Sequence, residues 1–147
     1  MIFKEATEQN IESILFEPYV YSQFCNDYDP IYEQAKIEDF DKFKWFVNED
    51  EDVLFFLKEN APTIFEVHTA ALKGARGRKV FKAYREFMSY IKDVLGGSEL
   101  LLTIPSHNRP AQVAVVQAAG AQRVLVLKNA IVKGRFFHDM YIYKVNL

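Results

Sequence analysis

The change from strand-like to helix-like periodicity after residue 72 constrains the fold of this chain more than any other feature. Residues 63–72 have the pattern of a strand, and a short basic loop that contains glycine follows them. From Arg78 onward the apolar residues recur at helical spacing and form one stripe: Val80, Tyr84, Phe87, Met88, Ile91 and Leu95. A strand that leads through a loop into an amphipathic helix predicts helices packed on a sheet.

Local signals before this junction predict further elements. Residues 1–6 predict a short strand, and Thr7 is a cap for a helix that Pro18 must end or kink. Asp29 and Pro30 predict the start of a second helix, which leads to Phe40 and Phe43. Residues 45–47 and 53–57 flank an acidic turn and predict an antiparallel hairpin, with residues 49–52 as a solvated turn.

The signals after the junction complete the element order. Gly96 and Gly97 end the helix, and residues 99–104 predict a buried strand. Asn108 caps a short helix that Gly120 terminates, and residues 123–132 and 136–145 predict a closing hairpin. The order is β-α-α-β-β-β-α-β-α-β-β, which predicts an α+β fold with a mixed, mostly antiparallel twisted sheet flanked by helices.

Composition favours one soluble domain over residues 1–147. Half of the residues are hydrophobic and 26% are charged, the balance of a folded globular protein. The single Cys25 excludes an internal disulfide, and the three scattered histidines do not predict a metal site. The acidic N-terminus is not typical of a signal peptide, and no apolar run approaches the roughly 20 residues that span a bilayer. We therefore expect a cytoplasmic protein without membrane contact.

Charge is unevenly distributed along the chain. Residues 1–60 carry 5 basic and 15 acidic side chains, whereas residues 61–147 carry 13 basic and 5 acidic ones. The dense basic stretch at 73–85 suits a polyanion, either a phosphorylated cofactor or nucleic acid, or it is a helix face compensated by the acidic first half. The formal net charge of −2 disfavours sequence-specific binding of nucleic acid.

The loop between the strand at 63–72 and the helix at Arg78 is the candidate anion site. The first turn of a helix presents unpaired N–H groups and the positive end of the helix dipole. Gly74 and Gly77 allow the backbone to approach a phosphate, and Arg76, Arg78 and Lys79 add positive charge. The spacing of the glycines matches neither a P-loop nor a dinucleotide fingerprint.

The element order, the loop around Arg76-Gly77, the helix from Asn108 to Gly120 and the closing hairpin resemble the GNAT superfamily of acetyl-CoA-dependent N-acetyltransferases. The resemblance implies acetyl-CoA as cofactor, with its diphosphate on the loop amides. It also implies the cofactor-binding residues, which are Leu72, Arg76, Gly77, Arg78, Lys79, Val80 and Asn108.

More narrowly, Glu66-Val67-His68, Arg76-Gly77 and the stretch 104–108 are similar to phage-encoded GNAT-like proteins. Some of those proteins are accessory factors of head assembly or DNA ejection. This resemblance implies phage structural or assembly proteins as partners, the bacterial host cytoplasm or the virion as location, and weak or lost acetyl transfer. The alternative is an active N-acetyltransferase that works by direct attack of an amine.

Two departures from the family pattern bear on that choice. Lys79 and Phe81 stand where the loop motif has glycines, and a side chain at either position would crowd a diphosphate. Many transferases of the family use a tyrosine in the helix after Asn108 to protonate the departing thiolate. Val115 or Val116 takes that place here, and valine cannot donate a proton.

Glu66 and His68 are the candidate catalytic residues. They are two apart on one strand, so their side chains leave the same face of the sheet. Either could take the proton of an attacking amine, or the two form a hydrogen-bonded polar pair without a catalytic role. Four tyrosines cluster around the predicted start of the second helix: Tyr19, Tyr21, Tyr28 and Tyr32. Three roles are open for them: they shape an acceptor site, they form a partner surface, or they only pack against other residues.

Overall fold

The computed structural model describes residues 2–24, 27, 29 and 40–147, which form a seven-stranded sheet flanked by four helices. The strands are β1 (Phe3–Glu5), β2 (Lys44–Asn48), β3 (Val53–Ala61), β4 (Ile64–Ala71), β5 (Glu99–Pro105), β6 (Gln122–Lys133) and β7 (Phe136–Asn146). The helices are α1 (Glu8–Leu15), α2 (Pro18–Phe24), α3 (Arg78–Asp93) and α4 (Arg109–Ala119). The α+β class and the predicted element order are confirmed.

The sheet has the order β1-β2-β3-β4-β5-β7-β6. Strands β4 and β5 are its one parallel pair, and every other neighbouring pair is antiparallel. A parallel pair needs a crossover connection, which α3 supplies between β4 and β5. The loop that leads from β4 into α3 therefore lies at the centre of the sheet.

Each face of the sheet carries its own core. The larger core packs α3 and α4 against the sheet, and Phe87 stacks on Phe55 with ring centroids 4.2 Å apart. The smaller core packs Ile11, Ile14 and Val20 of α1 and α2 against the opposite face. Because side chains alternate along a strand, β4 contributes Phe65 and Val67 to the first core and Ala70 to the second, and Glu66 and His68 lie on the α1–α2 face.

The helix boundaries follow the predicted caps. The Thr7 hydroxyl accepts a hydrogen bond from the Asn10 amide at 3.2 Å, and Pro18 begins α2 after α1 ends at Leu15. The predicted start of a helix at Asp29-Pro30 lies largely outside the described residues, as do Cys25, Tyr28 and Tyr32. The sequence predicted that this helix leads to Phe40 and Phe43, but residues Phe40–Lys42 form a 3-10 turn shortly before β2.

Helix α3 has the predicted apolar stripe and ends where glycine is required. Its buried residues include Tyr84, Phe87 and Ile91. A Cβ at Gly97 would lie 2.5 Å from Cγ2 of Ile91, so no larger residue fits there without a shift of the buried Ile91 side chain. None of the helices in the described part of the chain combines the length and the hydropathy that membrane crossing demands.

Candidate functional site

Strands β4 and β5 separate after a short paired segment. Their ladder comprises Ile64 with Glu99, Phe65 with Leu100 and Glu66 with Leu101. Beyond these pairs β4 continues to Ala71 and β5 to Pro105, and no further ladder pairing joins these two described strands. The two strands therefore part in the middle of the sheet, on the side where the loop to α3 begins, and we call the space between them the cleft.

The first half of that loop uses its amides within the protein. The Leu72 amide donates to the Asp52 carbonyl at 3.0 Å, and the Ala75 amide donates to the Leu72 carbonyl at 2.9 Å. The Arg76 amide donates to the Lys73 carbonyl at 3.4 Å, which completes a 3-10 turn. Leu72, predicted to bind cofactor, thus has no N–H group left for a ligand.

The second half of the loop leaves its amides unused. Gly77 precedes α3 with φ +80° and ψ −129°, a conformation that only glycine adopts without strain. Among the described residues, no acceptor binds the backbone amides of Gly77, Arg78, Lys79 and Val80. The first intrahelical bond runs from the Phe81 amide to the Gly77 carbonyl at 3.1 Å. These four amides and the helix dipole are donors that an anion could use, and we call them the candidate anion seat, or the seat.

The side chains of Lys79 and Phe81 are both held by other parts of the protein. Lys79 Nζ binds Asp50 Oδ2 at 2.7 Å and also pairs with Asp52, and these two carboxylates raise its pKa. Phe81 packs against the larger core. The prediction of a solvated turn at residues 49–52 is wrong for Asp52, whose backbone and side chain bind the buried Asn48 and the basic loop.

Arg76 contacts α2 from the end of the loop. Its Nη1 donates to the Tyr19 hydroxyl at 2.8 Å, and its Cζ lies 4.3 Å from the centroid of the Tyr19 ring. The alternative of a compensated helix face is therefore confirmed for part of the basic stretch, and the binding of a polyanion stays a prediction. Lys79 is compensated by acidic residues, whereas among the described residues no carboxylate forms an ion pair with Arg76 or Arg78.

Glu66 and His68 form a hydrogen-bonded pair at the point where β4 leaves β5. His68 Nε2 and Glu66 Oε1 are 2.7 Å apart, and the side-chain Nδ2 of Asn60 donates to Glu66 Oε2 at 3.2 Å. The hydrogen bond from His68 is the main cause that lowers the pKa of Glu66 to about 2. The His68 ring stacks on Phe56 with centroids 4.9 Å apart, and the edge of Phe43 lies against it.

Helix α4 begins as the sequence predicts. Asn108 Oδ1 accepts a hydrogen bond from the Ala111 amide at 3.3 Å, and Gly120 ends the helix in the left-handed conformation. Asn108 is thus occupied as a cap, and its predicted contact with the cofactor stays a prediction. Val115 is buried and Val116 is exposed, so α4 offers no proton donor at either position.

Two contacts had no signal in the sequence. The His107 and His138 rings lie with centroids 4.6 Å apart, although the residues are far apart in the chain. The Asp27 carboxylate accepts hydrogen bonds from the amides of Arg135 at 2.8 Å and Gly134 at 2.9 Å, which lower its pKa. This second contact joins the segment after α2 to the β6–β7 turn.

No family model matches this sequence, and no curated protein matches it significantly. Solved structures do match. A spermidine N-acetyltransferase from Vibrio cholerae, in complex with CoA and spermine, has a TM-score of 0.77 at 12% identity over 99% of this chain and 94% of that one. A ribosomal-protein-alanine N-acetyltransferase from Brucella melitensis has a TM-score of 0.71 at 16% identity over 100% of both chains.

An N-acetyltransferase from Staphylococcus aureus Mu50 has a TM-score of 0.72 at 14% identity over 99% of this chain and 97% of that one. These likenesses extend over nearly the whole length of each chain, but their identities are low. They establish architecture without establishing substrate. The chain has the fold of the GNAT N-acetyltransferases.

Proposed function

We propose that this protein is an acetyl-CoA-dependent N-acetyltransferase that acts on a primary amine by direct attack. The observation that carries the proposal is the cleft between β4 and β5, which opens beside four unused amides at the start of α3. The solved structures with this fold that are named above are N-acetyltransferases, which favours this reading over phage assembly. The assembly role stays an expectation from the sequence.

The residues around the cleft fit the cofactor that the fold implies. The amides of Gly77 to Val80 would hold the diphosphate, because they are unpaired donors at the positive end of a helix. The space beyond the Gly77 Cα is open, since a Cβ built there would meet nothing within 4 Å. The side chains of Lys79 and Phe81 are held elsewhere, which leaves this backbone accessible. When bound, acetyl-CoA supplies an activated acetyl group.

The distance along β4 suits this arrangement. His68 precedes Leu72 by four positions, which corresponds to about 13 Å of extended strand. An extended arm attached to a diphosphate on the loop could therefore reach the Glu66–His68 pair along the cleft. The pair lies on the face that α1 and α2 cover, and we assign that face to the amine.

Glu66 and His68 act together as the general base. With the Nε2 hydrogen donated to ionised Glu66, the Nδ1 atom of His68 carries the lone pair that takes the amine proton. Glu66 stabilises the positive charge that His68 then carries. A carboxylate whose pKa is about 2 is a weak base at neutral pH, so we assign Glu66 to orientation and His68 to proton transfer. Without a proton donor on α4, we expect slow turnover.

Binding and activity can be tested separately. Isothermal titration with CoA should show saturable binding to the wild-type protein, and absence of saturable binding would overturn the proposal. Release of CoA thiol from acetyl-CoA, measured with a panel of primary amines, then tests transfer.

Replacement of His68 by Ala should lower the transfer rate about 100-fold or more and leave CoA binding nearly unchanged. His138→Ala is the matched control, because it removes a histidine outside the site, and it should retain activity. Equal losses in both variants would contradict the assignment of the base.

A further inference from the structure

The two cations that flank the first amides of the seat are held in opposite ways. Lys79 is neutralised by two carboxylates, Asp50 and Asp52. Arg76 instead lies on the uncharged ring of Tyr19, which is 42% exposed, and it donates one hydrogen bond to the Tyr19 hydroxyl. A neutral partner fixes the position of a cation without cancelling its charge.

The geometry of the contact leaves donors for a ligand. A guanidinium group has five N–H donors in one plane, and its face can stack on an aromatic ring while its edges bind oxygen. Arg76 Cζ lies over the Tyr19 ring, and the Tyr19 hydroxyl accepts one of these hydrogen bonds, from Nη1. The remaining donors have no acceptor among the described residues. Arg76 is also adjacent in sequence to Gly77, whose amide begins the seat.

We propose that Tyr19 is a positioning residue that holds Arg76 as the side-chain cation of the diphosphate seat, an inference that rests on the proposed function. A free arginine side chain loses rotamer freedom when it binds a ligand, and the contact with Tyr19 restricts that freedom beforehand. Tyr19 belongs to α2, so this helix would take part in binding the cofactor through Arg76.

A double-mutant cycle on CoA affinity tests this role. We expect Arg76→Ala to weaken CoA binding about 10-fold, Tyr19→Ala about 5-fold and Tyr19→Phe, which keeps the ring, about 2-fold. In the Arg76→Ala background, Tyr19→Ala should cause no further loss, because its effect passes through Arg76. Arg123→Ala is the matched control, since Arg123 also lies over a tyrosine ring, that of Tyr141, at 4.6 Å. It should leave the affinity unchanged.

The outcomes separate this inference from the proposed function. Absence of CoA binding to the wild-type protein overturns both. Wild-type binding that Tyr19→Ala does not weaken overturns the positioning role alone. The same holds if Tyr19→Ala weakens binding equally with and without Arg76, because a merely structural tyrosine would act independently of the guanidinium. Thermal unfolding without ligand shows whether each variant is folded.

Discussion

A hydrogen bond from His68 is the largest of the causes that lower the pKa of Glu66. Two residues at this spacing on a strand could have been independent polar side chains, but their atoms approach to 2.7 Å. The resulting carboxylate is ionised throughout the neutral range, because its pKa falls to about 2. The structure shows the hydrogen-bonded polar pair, which is one of the two alternatives that the sequence left open, and the catalytic role of the pair stays a proposal.

This shift makes the stability of the protein depend on pH in acid. The pKa of Glu66 in the folded protein lies below its ordinary value of 4.5, so the carboxylate stabilises the fold fully above about pH 5. That stabilisation disappears as the pH falls from there towards 2. In urea unfolding at a series of pH values, Glu66→Gln should be less stable than wild type at neutral pH and converge with it in acid. Glu12→Gln, which removes an exposed carboxylate on α1, should show no such convergence.

At the scale of elements, the junction between β4 and α3 depends on the conformation of Gly77. Gly77 adopts a positive φ, and the first amides of α3 that follow it have no partner in the described part of the chain. Gly74, three residues earlier, has no positive φ and also faces open space. Only one of the two glycines is therefore required by the backbone.

The comparison of these glycines gives a direct test. Gly77→Ala places a Cβ on a backbone conformation that is strained for any residue other than glycine, at a cost of about 1–3 kcal/mol. The loop can relieve this strain if its amides change direction. We expect CoA affinity to fall about 10-fold or more. Gly74→Ala should bind CoA like the wild type. If both variants bind CoA with equal affinity in isothermal titration, the amides of Gly77 to Val80 are not the seat.

At the scale of the whole molecule, Asp27, which follows α2, is bound to the β6–β7 hairpin at one edge of the sheet. The Asp27 amide donates to the Val132 carbonyl at 2.9 Å, and its carboxylate binds the two turn amides of Gly134 and Arg135. Because β6 is an edge strand of the sheet, these hydrogen bonds attach Asp27 to that edge. They link the first and last parts of the chain.

Hydrogen exchange can measure this connection. In Asp27→Ala the amides of Gly134 and Arg135 lose their acceptor, so their exchange should become about tenfold faster. Acid should have the same effect on the wild type, but only at low pH, since these hydrogen bonds hold the pKa of Asp27 below 3.8. Asp41→Ala, an exposed substitution before β2, is the control and should leave both amides protected. Unchanged exchange in Asp27→Ala would contradict the contact.

The sequence alone determined most of the elements and several of their ends, although it did not predict the helix α2 at Pro18–Phe24. Thr7, Asn108 and Gly120 act as the predicted caps, and the stripe on α3 is buried as its spacing indicates. These features depend on groups within a few residues of one another, so their physical causes can be read locally. The basic loop could be recognised for the same reason, as unpaired amides always occur at a helix start.

The tertiary structure alone decided which groups in that loop remain available. Three features decide this: the separation of β4 from β5, the neutralisation of Lys79 and the contact between Arg76 and Tyr19. Each of them depends on residues that are distant in the sequence. No local pattern encodes such pairings, because they depend on how the β2–β3 turn and α2 pack beside α3. The sequence thus predicted where an anion could bind, and only the packing of distant elements determined which donors are free to bind it.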